Sequence, residues 1–351
     1  MTGSKRILSG VLAVFMLALS LTGCNNSDSK NNSSAASKNG GSSADSVETV
    51  ETPESSGRTY NIGICQLVQH EALDAATQGF KDALTEKLGD NVTFDEQNAQ
   101  GDSQNCTTIC NQFVSANYDL ILANATPALQ AAASSTDSIP ILGTSITHYG
   151  TALDITDWKG FTETNISGTA DLAPLDEQAK MLHELFPDKK TVGILYCSAE
   201  ANSKYQYDTI TPYFEQDGYT VKEYTFSDSN DIAAVVTSAC DECDVLYIPT
   251  DNTAANNTAV IDNIAATKNI PIVTGEEGLC SGCGVATLSI SYYELGKQTG
   301  EMAYEILEEG KDISTMEIRF APATTKKYDK ARCEALGITI PDDYVAIEAA
   351  E

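Results

Sequence analysis

Two stretches of the chain share one order of parts: YDLILANATPALQAAASSTDSIPILGTS (residues 118–145) and CDVLYIPTDNTAANNTAVIDNIAATKNIPIVTGEE (243–277). Each has an Asp, an apolar strand with Thr at its end, an Ala-rich helix, and Ile-Pro-Ile opening the next strand. A strand–helix–strand unit cannot bury both faces alone, so two copies predict two α/β lobes of one design. The rest of the chain follows the same alternation. Strands are predicted at 60–68, 91–99, 191–199 and 219–226, and amphipathic helices at 73–89, 103–118, 171–188 and 202–218. Gly89 closes the first of these helices. Strands spaced by helices of this length imply parallel sheets with right-handed crossovers. The fold class expected is α/β, two doubly wound parallel-sheet lobes joined by a hinge of several chain segments.

At 351 residues the chain exceeds one ordinary core, in agreement with two lobes. Residues 1–24 stand apart from them. Lys5 and Arg6 precede an apolar run, Ile7 to Leu21, that is short for a membrane span and ends in Leu21-Thr22-Gly23-Cys24. This stretch is similar to the lipobox of bacterial lipoproteins, which implies cleavage before Cys24 and lipid attachment to its sulfur. From Asn25 to Gly57, 18 of 33 residues are Ser, Asn or Gly, a composition suited to a flexible leash. Residues 58–162 with 294–322 are expected to form the first lobe, and 163–293 with 323–351 the second. The chain is expected to cross between them near Phe161–Thr164, Ser291–Tyr293 and Pro322–Thr324.

With 21 Lys and Arg against 50 Asp and Glu, the formal charge is −29, which excludes nucleic acid as a main partner. No Gly-x-Ser-x-Gly elbow, His-Glu-x-x-His or phosphate loop is present, so the sequence gives no sign of an enzyme and none of a cofactor. Nine cysteines follow Cys24. Cys240/Cys243 and Cys280/Cys283 are Cys-x-x-Cys pairs, open to a structural metal or local disulfides, or else simply small buried residues. Cys106 and Cys110 share a helix face and are expected to pack.

QLVQHEALD (66–74), ANATPALQA (123–131), YCSAEANS (196–203), YIPTDNT (247–253) and YYELGKQTGEMAYEIL (292–307) together carry a resemblance. From about Tyr60 to Ile347 the chain resembles the extracytoplasmic solute-binding lipoproteins of ABC importers, in particular those for tryptophan and tyrosine. Asn165-Ile166-Ser167-Gly168 departs mildly from the Asn-Val-Thr-Gly expected there. The resemblance implies a type I periplasmic-binding-protein fold that closes on a free amino acid, an aromatic one, as a monomer tethered to the membrane beside an ABC permease. A sensory binder, or the same scaffold holding a sugar or nucleoside, are the alternatives.

In open parallel sheets ligands bind beyond the carboxyl ends of the strands. An amino acid offers an ammonium, a carboxylate and a side chain. For the ammonium, Asp251 is the first candidate, at the end of the strand Val245 to Ile248, with Glu200 and Glu276 behind it. The alternative role for Asp251 is to cap the following helix, beside Asn252. For the carboxylate, the helix starts at Asn202 and Ser203 and at Thr126, with the hydroxyls of Thr144 and Ser145, supply donors. No arginine follows a predicted cleft strand. For the side chain, Gln69, His70, Leu73 and Tyr292, with Tyr293, are the candidates.

Overall fold

A computed structural model of the protein describes residues 57–348. The predicted signal peptide, Cys24 and the leash before Gly57 lie outside the described residues. In chain order the first lobe is built from β1 (Tyr60–Gln66), α1 (Glu71–Leu88), β2 (Val92–Asn98), α2 (Ser103–Ser115), β3 (Leu120–Asn124), α3 (Thr126–Ser135), β4 (Ile141–Ile146), α4 (Tyr149–Ala152) and β5 (Ile166–Ala170). The second follows as α5 (Leu175–Leu185), β6 (Thr191–Cys197), α6 (Ala201–Gln216), β7 (Thr220–Phe226), α7 (Ile232–Glu242), β8 (Val245–Ile248), α8 (Asn252–Ala255), α9 (Thr258–Lys268), β9 (Ile272–Thr274), α10 (Glu277–Cys283) and β10 (Ala286–Ser289). The chain then returns with α11 (Tyr292–Leu307), adds β11 (Arg319–Phe320), and ends with β12 (Thr325–Tyr328), α12 (Lys330–Leu336) and β13 (Val345–Ala346).

The first sheet runs β11-β5-β4-β3-β1-β2 and the second β13-β12-β10-β9-β8-β6-β7. The five principal strands of each lobe are thus wound in the same order, with the switch point between β1 and β3 in one and between β6 and β8 in the other. The repeat seen in the sequence is the matching β3-α3-β4 and β8-α9-β9 segments. The Asp that opens each copy has one task. Asp119 accepts the backbone N–H of Asn61 at 2.8 Å, and Asp244 accepts those of Lys190 and Thr191 at 3.0 and 2.9 Å. Each carboxylate therefore pins the start of its strand to the start of a neighbour. The single antiparallel pairing among these strands is β10 with β12.

Both sheets bury apolar side chains on two faces. Phe113 and Ile121 pack on one side of the first sheet, and Phe80, Leu122 and Met302 on the other. Helices α1 and α11 approach closely because glycines face backbone. A Cβ on Gly296 would lie 2.0 Å from the Ala76 carbonyl oxygen, so any side chain there forces the helices apart.

The first crossing differs from expectation. Ile166–Ala170 is a strand of the first sheet, paired with β4, so the chain leaves that lobe at 171–174, not at 161–164. This run is short and rich in small residues, and an apolar-run criterion misses it. The other passages between the sheets lie at 290–291 and 321–324. The Ala-rich helix expected in the second copy of the repeat is two helices, parted at Asn256 and Asn257.

Among the described residues all nine cysteines are free and buried. No three His, Cys, Asp or Glu side chains among those residues are grouped as metal ligands. Cys240, Cys243 and Cys283 belong to one apolar cluster beneath α7, α9 and α10. None of the described helices is long and apolar enough to cross a membrane.

Candidate functional site

The carboxyl ends of both sheets face each other across a cavity with about 290 Å³ not filled by protein atoms. Of this only about 20 Å³ is open to the centre of a water-sized sphere, far below the roughly 300–1,000 Å³ of drug-sized ligand sites. Its wall comes from the end of β4 and the segment after it (Ser145, Thr147), from the segments that follow β1 (His70, Leu73), β5 (Asp171), β8 (Thr250, Asp251, Asn252, Ala255), β9 (Glu276) and β10 (Tyr292), and from the first turn of α6 (Asn202). No lysine or arginine lines it.

Of the candidates from sequence, the cavity gathers His70, Leu73, Ser145, Asn202, Asp251, Asn252, Glu276 and Tyr292. Glu200 and Ser203 stand one step behind. Glu200 accepts from the Asn252 backbone and amide at 3.1 and 2.7 Å, the Thr253 backbone and hydroxyl at 2.9 and 2.7 Å, and the Asn202 amide at 3.1 Å. It knots the starts of α6 and α8 together. Ser203 donates to Asp251 at 2.7 Å. Four candidates lie elsewhere, and Tyr293 among them is exposed and donates to Asp82 on α1 at 3.0 Å. Gln69 is exposed on an outer opening of the cleft. Thr126 is buried as the first residue of α3. Thr144 accepts from Thr169, which also bonds Thr299 on α11, so its hydroxyl serves the sheet–helix contact.

Asp251 corrects the simplest reading of its strand end. One carboxylate oxygen accepts the Ala254 N–H at 2.7 Å and caps α8, while the other accepts from the Cys197 N–H at 2.6 Å and from Ser203. Glu276 likewise caps α10 through the N–H groups of Gly278 and Leu279, at 2.6 and 2.5 Å. Both acids are spent on local donors.

Asp171 is the acid the sequence analysis missed. It is 5% exposed and held by two hydroxyls, Thr147 at 3.2 Å and Tyr292 at 2.9 Å, with its own backbone N–H as a lesser donor. It follows β5, so recognising that strand would have put it in the same position as Asp251. Burial pushes its carboxyl up to about 6, opposed by the two hydroxyls, and pushes that of Glu276 up to about 7. Asp251 is raised by burial and by the nearby Glu200 charge.

Three of the unpartnered buried polar atoms lie at the same place. Ser145 Oγ, Asn202 Oδ1 and His70 Nδ1 are buried without a hydrogen-bond partner, and all three residues line the cavity. The Asn202 amide nitrogen is committed to Glu200, Ser203 and the Thr250 carbonyl, so its oxygen is left as an acceptor. The Asn252 amide nitrogen is committed to Glu200, so its oxygen faces His70 Nε2 at 3.2 Å. That nitrogen must donate, and Nδ1 is then an acceptor on a ring that burial keeps neutral. Ser145 holds φ at +57°, a strained backbone for a non-glycine residue, at the cavity wall. Two long helices also begin here without a side-chain cap, α1 after His70 and α6 after Glu200.

The lobes touch across the cavity. Besides His70 with Asn252, Gln206 on α6 donates to Thr147 at 3.5 Å, and the His148 ring stacks on Tyr205 with centroids 4.5 Å apart. Trp158 packs on Tyr149 outside the cavity.

Residues 61–351 match the family described as ABC transporter substrate binding protein. A curated relative, the tyrosine-binding protein of Clostridioides difficile (strain R20291), is 36% identical over 324 residues, covering 91% of this chain and 88% of that one. Among solved structures, the ABC domain in complex with L-Trp from Streptococcus pneumonia is 30% identical, with a TM-score of 0.77 over 81% of this chain and 96% of that chain. The ligand-free, open structure of a substrate-binding protein with adhesive properties from Clostridium difficile is 35% identical, with a TM-score of 0.64 over 83% of this chain and 100% of that chain.

Proposed function

The chain belongs to the ABC transporter substrate-binding protein family, whose type I periplasmic-binding-protein fold it has, and from that premise we propose that it captures a free aromatic amino acid between its lobes and delivers it to a membrane permease. The observation that carries this reading is Asp171. It is a buried carboxylate on the cavity wall with hydroxyl partners but no cation. An ammonium is the group that completes it, through a charge-assisted hydrogen bond. Asn202 Oδ1 and His70 Nδ1 add acceptors. Asp251 and Glu276 shape the wall by capping α8 and α10.

The carboxylate of the ligand goes to the uncapped starts of α1 and α6 and to the Ser145 hydroxyl. Leu73 and Tyr292 provide the apolar and aromatic surface for a ring. A neutral sugar or nucleoside would leave the carboxyl groups without a charge partner. Partners on both lobes make the ligand bind the closed arrangement better than the open one, which is what drives closure. The comparison of TM-scores supports a closed arrangement: the less identical relative, with L-Trp bound, superposes better than the open one. The family role, with the Cys24 motif, supports a lipid-anchored protein at the outer face of the membrane. The reading includes no catalytic step.

Binding is then linked to pH. The Asp171 carboxyl of the ligand-free protein titrates at about 6, and it must be ionised to hold the ammonium. The pairing lowers its pKa, so binding releases protons, and affinity falls as pH drops through 6. Calorimetric titration with tyrosine or tryptophan should give a Kd roughly tenfold weaker at pH 5 than at pH 7. A Kd that is flat, or tighter at pH 5, removes Asp171 as the ammonium partner.

A further inference from the structure

The polar wall of the cavity is lopsided. Three buried carboxyl groups, Asp171, Asp251 and Glu276, and two unpartnered acceptors, Asn202 Oδ1 and His70 Nδ1, face one space that no lysine or arginine lines. The basic side chain that lines the adjoining hinge-side groove, Lys327, is already bound to Glu277 at 2.5 Å. Against this stand one free hydroxyl, Ser145, and two uncapped helix starts.

The two ends of an amino acid are therefore held unequally. An anion at a helix start gains between a few-fold and roughly thirtyfold in affinity. Here it gains that beside the ionised Asp171, which repels it. An ammonium removed from a buried carboxylate forfeits a hundredfold or more, because the acid stays buried without its partner.

Building on the aromatic amino-acid reading, we infer that the cavity recognises the primary ammonium and the ring, so that it also takes aromatic monoamines, the decarboxylated counterparts of aromatic amino acids. The carboxylate is a secondary handle. A protein of this kind collects amines such as tyramine or tryptamine along with the parent amino acids, and amine and amino acid compete for one site.

The test is calorimetric titration of the purified protein with four compounds: tyrosine, tryptophan, tyramine and 3-(4-hydroxyphenyl)propionate, which keeps ring and carboxylate but lacks the ammonium. Tyramine is expected to bind about a hundredfold more tightly than the propionate and to be displaced by tyrosine. If the amino acids bind while the propionate binds as tightly as tyramine or tighter, the inference is overturned and the amino-acid reading survives. Tyramine binding with no response to either amino acid upholds recognition through ammonium and ring, but it overturns competition for one site and sinks the amino-acid reading. Silence from all four overturns both. The conservative variant Asp171→Asn should lose tyramine and tyrosine alike, whereas a variant that keeps tyramine affinity places the ammonium elsewhere.

Discussion

Replacing Asp171 by Asn is expected to weaken binding of an aromatic amino acid by at least about a hundredfold while leaving the ligand-free protein as stable as before, or more so. The loss follows from burying an ammonium without its charge partner, worth about 3–5 kcal/mol. The stability follows from the sign of the pKa shift. The folded-state value, about 6, lies above the ordinary carboxylate value, so ionising Asp171 works against the fold. That cost is absent at low pH, develops between pH 4 and 6, and is fully present at pH 7, on the order of 3 kcal/mol. An amide carries no such cost. It also keeps its hydrogen bonds, because Thr147 and Tyr292 approach with hydroxyls that donate or accept. Thermal unfolding with and without ligand checks both halves. A lowered midpoint for the ligand-free variant with undiminished affinity makes Asp171 a structural residue.

Glu200→Ala is expected to do the opposite, costing stability first and binding as a consequence. The carboxylate is 4% exposed and accepts five hydrogen bonds, two of them from backbone N–H groups at the start of α8. Losing an acceptor that serves buried donors costs about 1–3 kcal/mol for each donor that finds no replacement, so a total of at least about 3 kcal/mol is expected. The unfolding midpoint in denaturant should fall accordingly. Affinity should fall as well, because Asn202 and Asn252 are released from the orientations that fix the acceptors on the cavity. Unchanged stability would mean that water replaces Glu200 at little cost, and that the knot between α6 and α8 is not what orients the wall.

These two acids show where sequence reasoning reaches and where it stops. The alternation of strands and helices, and the shared parts of 118–145 and 243–277, follow from burial periodicity and are readable residue by residue. So is the address of the site at the strand ends, since parallel winding places it there. The role of an acid at that address is not readable. Asp251 and Asp171 both follow buried strands, yet one has N–H donors from Cys197 and Ala254 within reach and the other has two hydroxyls and no N–H but its own. The Ala254 contact is the local helix cap that the sequence left open, whereas the Cys197 contact comes from the end of β6 across the sheet, a long-range event with no local signature. Asp171 was hidden for a further reason. The strand before it, Ile-Ser-Gly-Thr-Ala, is buried by its neighbours in the sheet and by α11, not by large apolar side chains of its own. Gln69, Thr126 and Thr144 failed as cavity residues because a position near a strand end does not fix the side from which a side chain leaves it.

The most direct test of the central claim is the thermal shift of the purified protein against the twenty amino acids, with sugars and nucleosides as controls. A ligand that binds only the folded state, present at 100 times its Kd, stabilises by roughly 2.7 kcal/mol. The account predicts a selective rise with tyrosine, tryptophan or phenylalanine, absent in Asp171→Asn. A rise with a sugar or nucleoside and none with any amino acid would contradict it.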